Sequence, residues 1–363
     1  TLVSNNYWTL YKFRLDVVKT MLMSGHKVIL IAKKDRFHKY FNAPNLQKKF
    51  IHIEERGVNI LSELKTFVHL FNIYRNIKTD LIFHFTIKPN IYGSIIAKIL
   101  RIKSISFITG VGLLFINKKS YLSKIIIPLY KVALKNIYKV WFTNKHDKDL
   151  FLKNKIIKKN QFDIVPGAGV IFKIIKERDL SKDKYIFTMV SRLQKEKGIE
   201  EFLYVARQYK DNKNIEFRLI GNIDNDDPSG IDQKKLNKYI SDDSLLHFNY
   251  QDDIENFLLE SNCIIHPSYR EGISTILIEA ASLMIPIITT SVPGCIDVIP
   301  NNEHGLLCKS NDKNSLKDAV DTFISMDDNK IKRKSQNAYN HVKANFERQK
   351  ILNIYIETIE NIL

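Results

Sequence analysis

Strand-like apolar segments alternate with helix-like segments along this chain, and this order constrains its fold more than any other feature. Segments with apolar residues at helical spacing, such as Ile60–Asn76, separate the strand-like runs. Strands that alternate with helices form a parallel sheet covered by helices on both faces. We therefore predict a doubly wound α/β fold. The strand-like segments of the first half are Thr1–Ser4, Val28–Ala32, Ile51–Ile53, Leu81–Phe85, Ser104–Ile108, Val140–Thr143 and Phe162–Val165.

The alternation stops at a polar stretch, Lys173–Lys184, and then begins again. A chain of 363 residues is too long for one ordinary core, so two domains are expected. We predict an N-terminal Rossmann-like domain at 1–172, a linker at 173–184 and a C-terminal domain at 185–340. One long helix, about Lys330–Leu363, closes the chain, and its part at 341–363 is expected to pack back toward the N-terminal domain. Ligands of such sheets bind beyond the carboxyl ends of the strands, which predicts a cleft between the domains.

The charge of the chain is concentrated in its first half. Residues 1–165 contain 30 Lys and Arg against 9 Asp and Glu, whereas residues 166–363 contain 26 against 30. The first half therefore suits an anionic partner: nucleic acid, an acidic bilayer surface or a phosphorylated substrate. A lysine-rich surface that is merely solvated is the other interpretation.

The cysteines and the hydropathy pattern indicate a cytoplasmic protein. Cys263, Cys295 and Cys308 show no metal-ligand spacing, and an odd number argues against a disulfide framework. No run of about 18 apolar residues is present, so we expect no membrane-spanning segment.

Ser191–Gly198 follows the strand-like run Tyr185–Val190 and leads into a helical pattern. Arg192, Lys195 and Lys197 would then lie at the carboxyl end of a strand beside a helix N-terminus. Fixed cations and free N–H groups both attract phosphate. An ordinary charged surface turn is the alternative.

A second stretch, His266–Glu279, passes from an apolar strand through a Pro/Ser/Gly turn into a helical pattern. Backbone N–H groups at the start of that helix can point at a diphosphate. Glu279 can accept ribose hydroxyl hydrogens, and Glu271 can contact a sugar hydroxyl or a developing positive charge. Glu279 could instead be an ordinary helix residue, but its apolar neighbours would make an unpaired carboxylate costly. The residues that offer the N–H groups are Gly272, Ile273, Ser274 and Thr275.

These two stretches together resemble the donor site of the GT-B glycosyltransferases of family 4. Arg192 and Lys197 precede a glycine, and a His-Pro-Ser-x-x-Glu-Gly…Glu run follows, in which Glu271 and Glu279 match the family's E-x7-E motif. The segments Val292–Asp297 and Asn302–Leu307 match the usual continuation of that motif.

The resemblance implies a GT-B fold, in which two tandem Rossmann-like domains face each other across a cleft. It implies a nucleotide-sugar donor, with UDP as the expected nucleotide and a hexose or N-acetylhexosamine as the sugar, and transfer with retention. Arg192 and Lys197 would hold the diphosphate and stabilise the leaving group. Glu279 would bind the ribose, and Glu271 would contact the sugar near the anomeric carbon. No cofactor or metal is expected.

The first half resembles bacterial family members that extend polyprenyl-diphosphate-linked saccharides, including O-antigen, capsule and N-glycan precursor transferases. The segments that carry this resemblance are Phe83–Gly93, Thr109–Gly112 and Phe142–Asp147. Two positions depart from the family pattern, because Ser4–Tyr7 is not glycine-rich and Thr109-Gly110 replaces an expected histidine. The candidate acceptor residues are Asn5, His84, Lys88, Thr109, Gly110 and Asn144. A buried structural histidine is an equally good interpretation of His84.

A basic and apolar segment, Asn117–Lys139, suggests membrane contact. Six lysines surround the run Ile125–Tyr130, a composition that suits docking on an anionic leaflet. We therefore expect a peripheral protein on the inner face of the cytoplasmic membrane. The alternative is a core helix with solvated lysines.

Three other hypotheses remain at this point. Asp224–Asp227 could be the metal-binding D-x-D motif of GT-A glycosyltransferases, although we interpret it as a solvated turn. We interpret His266 as a strand-end residue that is hydrogen-bonded near the site rather than as a ligand or base. A nucleotide-sugar 2-epimerase has the same fold, but no acid and histidine set poised at C2 is identifiable. A nucleic-acid-binding protein would need aromatic platforms or a recognition helix among the lysines, and the aromatic residues mostly fall at core spacing.

Overall fold

The computed structural model describes residues 1–54, 59–111, 121–173, 184–224, 227 and 229–363. The chain divides into two compact units. The first unit comprises residues 1–168 and 348–363, and the second unit comprises residues 169–347.

The first unit contains a seven-stranded parallel sheet in the order β3-β2-β1-β4-β5-β6-β7. Its central strand β4 is buried along its whole length, and its sequence is apolar except for His84. The strands are β1 (Leu2–Asn6), β2 (Val28–Lys33), β3 (Leu46–Phe50), β4 (Leu81–Phe85), β5 (Lys103–Ile108), β6 (Lys139–Phe142) and β7 (Phe162–Ile164).

Helices cover both faces of this sheet. On one face α1 and α12 share a core with Trp141 of β6, and on the other α2 and α3 share a core with Ile82 of β4. Asparagine caps start three of the helices, since the side chains of Asn6, Asn59 and Asn144 accept N–H hydrogen bonds from the first turn. The helices are α1 (Tyr7–Met23), α2 (Ile60–Asn76), α3 (Ser94–Ile99), α4 (Tyr121–Leu134), α5 (Lys145–Lys153) and α12 (Arg348–Glu360).

The second unit repeats this architecture with a six-stranded parallel sheet in the order β10-β9-β8-β11-β12-β13. Its two innermost strands, β8 and β11, carry the two site stretches at their carboxyl ends. The strands are β8 (Tyr185–Val190), β9 (Ile215–Ile220), β10 (Leu246–Phe248), β11 (Cys263–His266), β12 (Ile287–Thr290) and β13 (Leu306–Cys308). The helices are α6 (Ile199–Gln208), α7 (Gln233–Ser241), α8 (Glu255–Glu260), α9 (Thr275–Ser282), α10 (Lys313–Ser325) and α11 (Asp328–Phe346).

The prediction of one closing helix is wrong. Helix α11 ends at Phe346, and Glu347 adopts an extended conformation (φ −63°, ψ 128°) before α12 starts at Arg348. In the first unit Arg348 pairs with Asp16, and Tyr355 packs against Trp141 at 4.9 Å between ring centroids. The chain therefore passes from the second unit to the first at 347/348, whereas the predicted boundary was 340/341.

The other end of the second unit begins at Gly169, four residues before the predicted linker. Within that linker, 174–183 lie outside the described residues. None of the described helices is long and apolar enough to cross a bilayer.

Candidate functional site

The two stretches that the sequence singled out lie side by side at one edge of the second sheet. Strands β8 and β11 pair in parallel, with Thr188 opposite Ile264, so their carboxyl ends meet at the same edge. The loop after β11 is hydrogen-bonded to the turn after β8. The Tyr269 N–H and the Ser268 hydroxyl both donate to the carbonyl of Glu196, at 2.8 and 3.2 Å.

Gly198 makes this close approach possible. It ends the 3-10 turn Lys195–Lys197 in the left-handed region, with φ at 74°. A Cβ at this position would lie 2.1 Å from the carbonyl oxygen of Pro267. Any other residue would push the two loops apart, because backbone atoms cannot yield as a flexible side chain can.

The carboxylate of Glu271 lies at the centre of the site, and one of its oxygens accepts hydrogen bonds from two neighbouring side chains. Lys197 Nζ lies 2.6 Å from Glu271 Oε1, and His266 Nε2 lies 3.0 Å from that atom. All three side chains are largely buried, with 14% of Lys197, 12% of Glu271 and 4% of His266 exposed. Glu271 Oε2 has no partner in the part of the chain that the structure describes.

The carboxyl of Glu271 is ionised at any physiological pH. Burial raises its pKa, but the charge of Lys197 and the hydrogen bonds from His266 and Lys197 outweigh burial and hold the pKa well below its usual range. Glu271 can therefore stabilise positive charge or accept a hydroxyl hydrogen, but it is a poor proton donor.

A second loop, after β12, supports the backbone of the first. The Glu271 N–H donates to Pro293 and the Ser274 N–H to Gly294, both at 3.2 Å. Gly294 has φ at 81°, and a Cβ there would lie 2.5 Å from the carbonyl oxygen of Glu271. Its own N–H donates to Asp297 Oδ2 at 2.9 Å. This bracing explains why a Val-Pro-Gly-x-x-Asp segment follows the glutamate motif.

Helix α9 starts at this site without a side-chain cap. Its N-cap residue is Ser274, whose hydroxyl makes no capping hydrogen bond. That hydroxyl is buried and has no partner among the described residues. The N–H groups of a first helical turn lack intrahelical partners, so this end of α9 favours an anion.

The other donor-site candidates lie around this helix start and after β8. Thr275 and Glu279, four residues apart, are half-buried on the same side of α9, while Ile276, Leu277 and Ile278 between them are buried. Gly272 and Ile273 lie in the loop between Glu271 and the helix, and both are half-buried. Arg192 follows β8 and is exposed, with no side-chain partner among the described residues.

The predicted acceptor residues are mostly part of the scaffold of the first unit. His84 is fully buried, with Nε2 2.9 Å from the Tyr74 hydroxyl and Nδ1 3.2 Å from the Ser94 hydroxyl. Burial lowers its pKa to about 3. This geometry contradicts the acceptor role and supports the alternative of a buried structural histidine.

Lys88 and Asn144 are likewise engaged within the first unit. Lys88 forms an ion pair with Glu63, and only 13% of its side chain is exposed. Asn144 is 1% exposed and accepts the N–H of Asp147 at 2.7 Å, so it caps α5. The structure therefore contradicts a direct acceptor contact for Asn144 and leaves Lys88 little freedom for one.

The remaining acceptor candidates lie at the carboxyl ends of strands in the first unit. Thr109 is exposed and Gly110 half-buried after β5, where Gly110 has φ at 148°. Asn5 lies near the end of β1 and accepts a hydrogen bond from the Thr86 hydroxyl at 2.9 Å. Gly112, the last residue of this predicted motif, lies outside the described residues.

At the Asp224–Asp227 run, the Asp227 N–H donates to the carbonyl of Asp224 at 3.1 Å. The Asp227 carboxylate accepts hydrogen bonds from the Ser229 N–H at 2.9 Å and from the Gln194 side chain. Asn225 and Asp226 lie outside the described residues. Across the described ranges, no group of three His, Cys, Asp or Glu side chains is arranged to hold a metal ion.

One hydrogen-bonded pair beside the site, Tyr269 and Glu201, is not among the residues predicted from the sequence. The Tyr269 hydroxyl donates at 2.8 Å to Glu201, a glutamate that is only 7% exposed on α6. A glutamate among the apolar residues Ile199, Phe202 and Leu203 could have signalled a buried carboxylate with a required partner. The interpretation of His266 as a strand-end residue hydrogen-bonded near the site is confirmed.

Two family models match the two halves of the chain. The model described as glycosyl transferases group 1 matches residues 170–341, which contain the whole site described above. The model described as glycosyl transferase 4-like matches residues 1–144.

Individual proteins match the chain over most of its length. It is 25% identical to the N,N'-diacetylbacillosaminyl-diphospho-undecaprenol alpha-1,3-N-acetylgalactosaminyltransferase of Campylobacter jejuni, covering 98% of this chain and 97% of the relative. It is 24% identical to the UDP-Gal:alpha-D-GlcNAc-diphosphoundecaprenol alpha-1,3-galactosyltransferase of Escherichia coli, covering 84% and 82%.

Solved structures share the fold. The Anabaena protein HepE, crystallised in complex with UDP and glucose, superposes with a TM-score of 0.78 at 14% identity, over 99% of this chain and 98% of that one. With a group 1 glycosyltransferase model matching 170–341, a glycosyl transferase 4-like model matching 1–144, and two parallel sheets, the chain is a glycosyltransferase with the two Rossmann-like domains of the GT-B fold.

Proposed function

We propose that this enzyme transfers a hexose or N-acetylhexosamine from a UDP-sugar to a saccharide carried on polyprenyl diphosphate, with retention at the anomeric carbon. The observation that carries the proposal is the buried Lys197–Glu271 ion pair beside the uncapped start of α9. The relatives support both substrates, because both names contain a diphosphoundecaprenol-linked sugar and one contains UDP-Gal. They favour a glycosyltransferase over an epimerase or a nucleic-acid-binding protein.

The diphosphate of the donor would bind between two cations and a helix start. Arg192 offers an exposed guanidinium, Lys197 an ammonium, and the first turn of α9 offers N–H groups. These groups become most useful as the sugar departs, since negative charge then grows on the leaving UDP. Fixed donors in a site that excludes water stabilise such charge strongly because they need no reorganisation.

The sugar would lie against Glu271 and the ribose against Glu279. Glu271 Oε2 is available to a ligand, and the carboxylate keeps its charge at physiological pH. It can accept a sugar hydroxyl hydrogen or stabilise positive charge at the anomeric carbon. Glu279 shares the less buried side of α9 with Thr275, so its carboxylate can reach a ligand at the same helix start.

We propose that the reaction needs no metal. Lys197 and Arg192 supply the positive charge that a metal ion supplies to a diphosphate elsewhere. The Asp227 carboxylate, the obvious rival, already accepts hydrogen bonds from Ser229 and Gln194. Transfer should therefore continue after treatment with EDTA.

The acceptor side would act at an anionic membrane surface. The first unit contains 32 Lys and Arg against 11 Asp and Glu, whereas the second contains 24 against 28. Helix α4 presents Lys124 and Lys131 next to Ile125 and Val132, which are 42% and 58% exposed, and Lys135 follows directly after the helix. Such a mixed basic and apolar surface binds anionic lipid head groups and the edge of the acyl region. Lys118 and Lys119 of the predicted segment lie outside the described residues.

The enzymatic test is an assay with purified protein, a panel of UDP-sugars and a polyprenyl-diphosphate saccharide, with and without EDTA. We expect a product one sugar longer, and the anomeric configuration of the new linkage, read by NMR, should match that of the donor. Inversion would contradict the retaining mechanism, and strict dependence on Mn²⁺ would contradict metal independence. Absence of transfer from every UDP-sugar to every lipid-linked saccharide would overturn the proposal.

The membrane test compares two triple variants of equal charge change. Lys124, Lys131 and Lys135 replaced by Gln should weaken binding to sedimented anionic liposomes about 100-fold, since each surface lysine contributes roughly 1 kcal/mol. The matched control replaces Lys210, Lys213 and Lys234 of the second unit, which are also exposed. Equal losses in both variants would mean that only total charge matters, and the α4 surface would lose its assigned role.

A further inference from the structure

His266 is a buried histidine whose ring contacts a site residue. It ends β11, it is 3% exposed, and its carbonyl accepts the Thr289 hydroxyl at 2.8 Å. Its Nε2 atom lies 3.0 Å from Glu271 Oε1. The position of the ring is therefore fixed by a central strand, and its polar contact is with Glu271.

The surroundings of the ring select one protonation state. A carboxylate oxygen can only accept a hydrogen bond, so Nε2 must carry the hydrogen. Nδ1 is buried and has no partner within the described residues, so a hydrogen there would be an unsatisfied buried donor. The neutral ring with hydrogen on Nε2 fits both conditions.

The two hydrogen-bond donors hold the carboxylate of Glu271 in one orientation. Lys197 and His266 both bind Oε1, so Oε2 is the oxygen left for a ligand. Lys197 alone could not maintain this arrangement during a reaction, because its flexible chain would also be attracted to a diphosphate. A rigid ring on a buried strand does not move with the ligand.

We propose that His266 is a positioning residue, which as a neutral Nε2–H donor holds Glu271 so that Oε2 faces the donor sugar. This inference rests on the proposed function of Glu271. The imidazole does not exchange protons with the substrate, since Nε2 is occupied by Glu271 and Nδ1 is buried. Its contribution to transfer is orientation alone.

The kinetic test compares His266→Leu with His266→Gln, which places an amide N–H close to the position of Nε2. We expect His266→Leu to lower kcat about 10- to 100-fold, as a small displacement of a reacting group does. His266→Gln should stay within about fivefold of the wild-type kcat, because it restores the hydrogen bond. The Kd of UDP, which lacks the sugar, should remain within about threefold in both variants.

The pH profile of kcat separates positioning from proton transfer. The acid limb should be the same in wild type and His266→Gln, because a donor on Nε2 is present in both. Loss of an acid limb in His266→Gln would identify His266 as an acid–base residue and overturn the proposal. Equal losses of kcat in the Leu and Gln variants would overturn it as well.

A spectroscopic measurement keeps this inference separate from the proposed function. In ¹⁵N-histidine-labelled wild-type protein without ligand, assigned with His266→Gln, the His266 ring should show a protonated Nε2 and an unprotonated Nδ1 at neutral pH. A hydrogen on Nδ1, or a doubly protonated ring, would contradict the positioning role. Failure of the transfer assay together with the expected spectrum would count against the proposed reaction and leave the assigned tautomer standing.

Discussion

A largely buried lysine–glutamate ion pair lies in each of the two units of this enzyme, and the two pairs are buried to almost the same extent. They differ in whether both oxygens of the glutamate carboxylate have hydrogen-bond partners. In the first unit, Lys88 binds Glu63 Oε1 and the Tyr92 hydroxyl donates to Glu63 Oε2 at 2.7 Å, so both oxygens are occupied. In the second unit, Lys197 and His266 both bind Glu271 Oε1. Glu271 Oε2 is left without a partner among the described residues.

The two buried histidines, His84 and His266, also differ in how many of their ring nitrogens are hydrogen-bonded. Both ring nitrogens of His84 are hydrogen-bonded, whereas Nδ1 of His266 has no partner in the described part of the chain. A closed network stabilises a fold, because every polar group that lost water regains a hydrogen bond. A network that leaves an accessible polar atom such as Glu271 Oε2 without a partner carries a cost in the free protein that a ligand can offset. Burial and residue type alone therefore do not distinguish a site from a scaffold.

The largest expected effect comes from replacing the two glutamates by Gln. Glu271→Gln should lower kcat by about 10²–10³-fold, because it removes the negative charge that we propose stabilises the anomeric carbon and leaves Lys197 unpaired. Glu63→Gln should leave kcat within about threefold of wild type, because neither oxygen of Glu63 is open to a ligand. Initial rates at saturating donor and acceptor measure both.

Folding is the control for this pair of variants. The two tryptophans, Trp8 and Trp141, both lie in the first unit, so their fluorescence follows the unfolding of that unit. Glu63→Gln should lower the denaturant midpoint read by fluorescence, and Glu271→Gln should not. An equal loss of kcat in the two variants would mean that the closed pair also serves the reaction.

A smaller effect is expected when the two lysines are replaced by Met. Lys197→Met should weaken UDP binding by about 10- to 100-fold, since a charge-assisted contact to a phosphate is lost. Lys88→Met should not change UDP affinity, but it should destabilise the first unit by about 3 kcal/mol, because Glu63 keeps a poorly solvated charge. Calorimetric titration with UDP and tryptophan fluorescence give the two numbers. Weaker UDP binding by Lys88→Met would mean that the Lys88–Glu63 pair also contributes to donor binding, which contradicts the comparison.

The sequence was sufficient to locate the Lys197–Glu271 pair but not to recognise the Lys88–Glu63 pair. Lys197 and Glu271 follow buried strands whose apolar runs are visible in the sequence, and parallel strands bring their carboxyl ends together. The partners of Lys88 and of His84 Nε2, in contrast, lie on α2. Glu63 and Tyr74 meet them only when that helix packs on the sheet, which no local pattern specifies.

The edge strands, and the point at which the chain passes from the second unit to the first, could not be predicted from the sequence either. The strand predicted at Ile51–Ile53 is wrong, because the ladder pairs Leu46–Phe50, and the strand Leu246–Phe248 was missed. Both lie at an edge of their sheet, where half-exposed strands carry polar residues and lose the apolar signal. The break at Glu347 contains neither Pro nor Gly, so tertiary packing alone divides α11 from α12 there.

The smallest effect tests the closed network of the first unit through pH. Burial lowers the pKa of His84 to about 3, whereas an unfolded histidine titrates near 6.5. As the pH falls below 6.5, His84 becomes protonated in the unfolded chain but stays neutral in the folded chain. The free energy of unfolding therefore decreases progressively until the pH reaches the folded-state pKa. Between pH 6.5 and pH 5 the free energy of unfolding of the first unit should fall by about 2 kcal/mol from this residue.

His84→Gln isolates that contribution, because the amide can hydrogen-bond to Tyr74 but cannot titrate. The variant should be less stable than wild type at pH 7.5, and its stability should fall less steeply between pH 6.5 and pH 5. Tryptophan fluorescence during denaturant unfolding at each pH reads the first unit alone. If both proteins lost stability with the same slope, His84 would be protonated in the folded state. The network around it would then be open, and the contrast with His266 would fail.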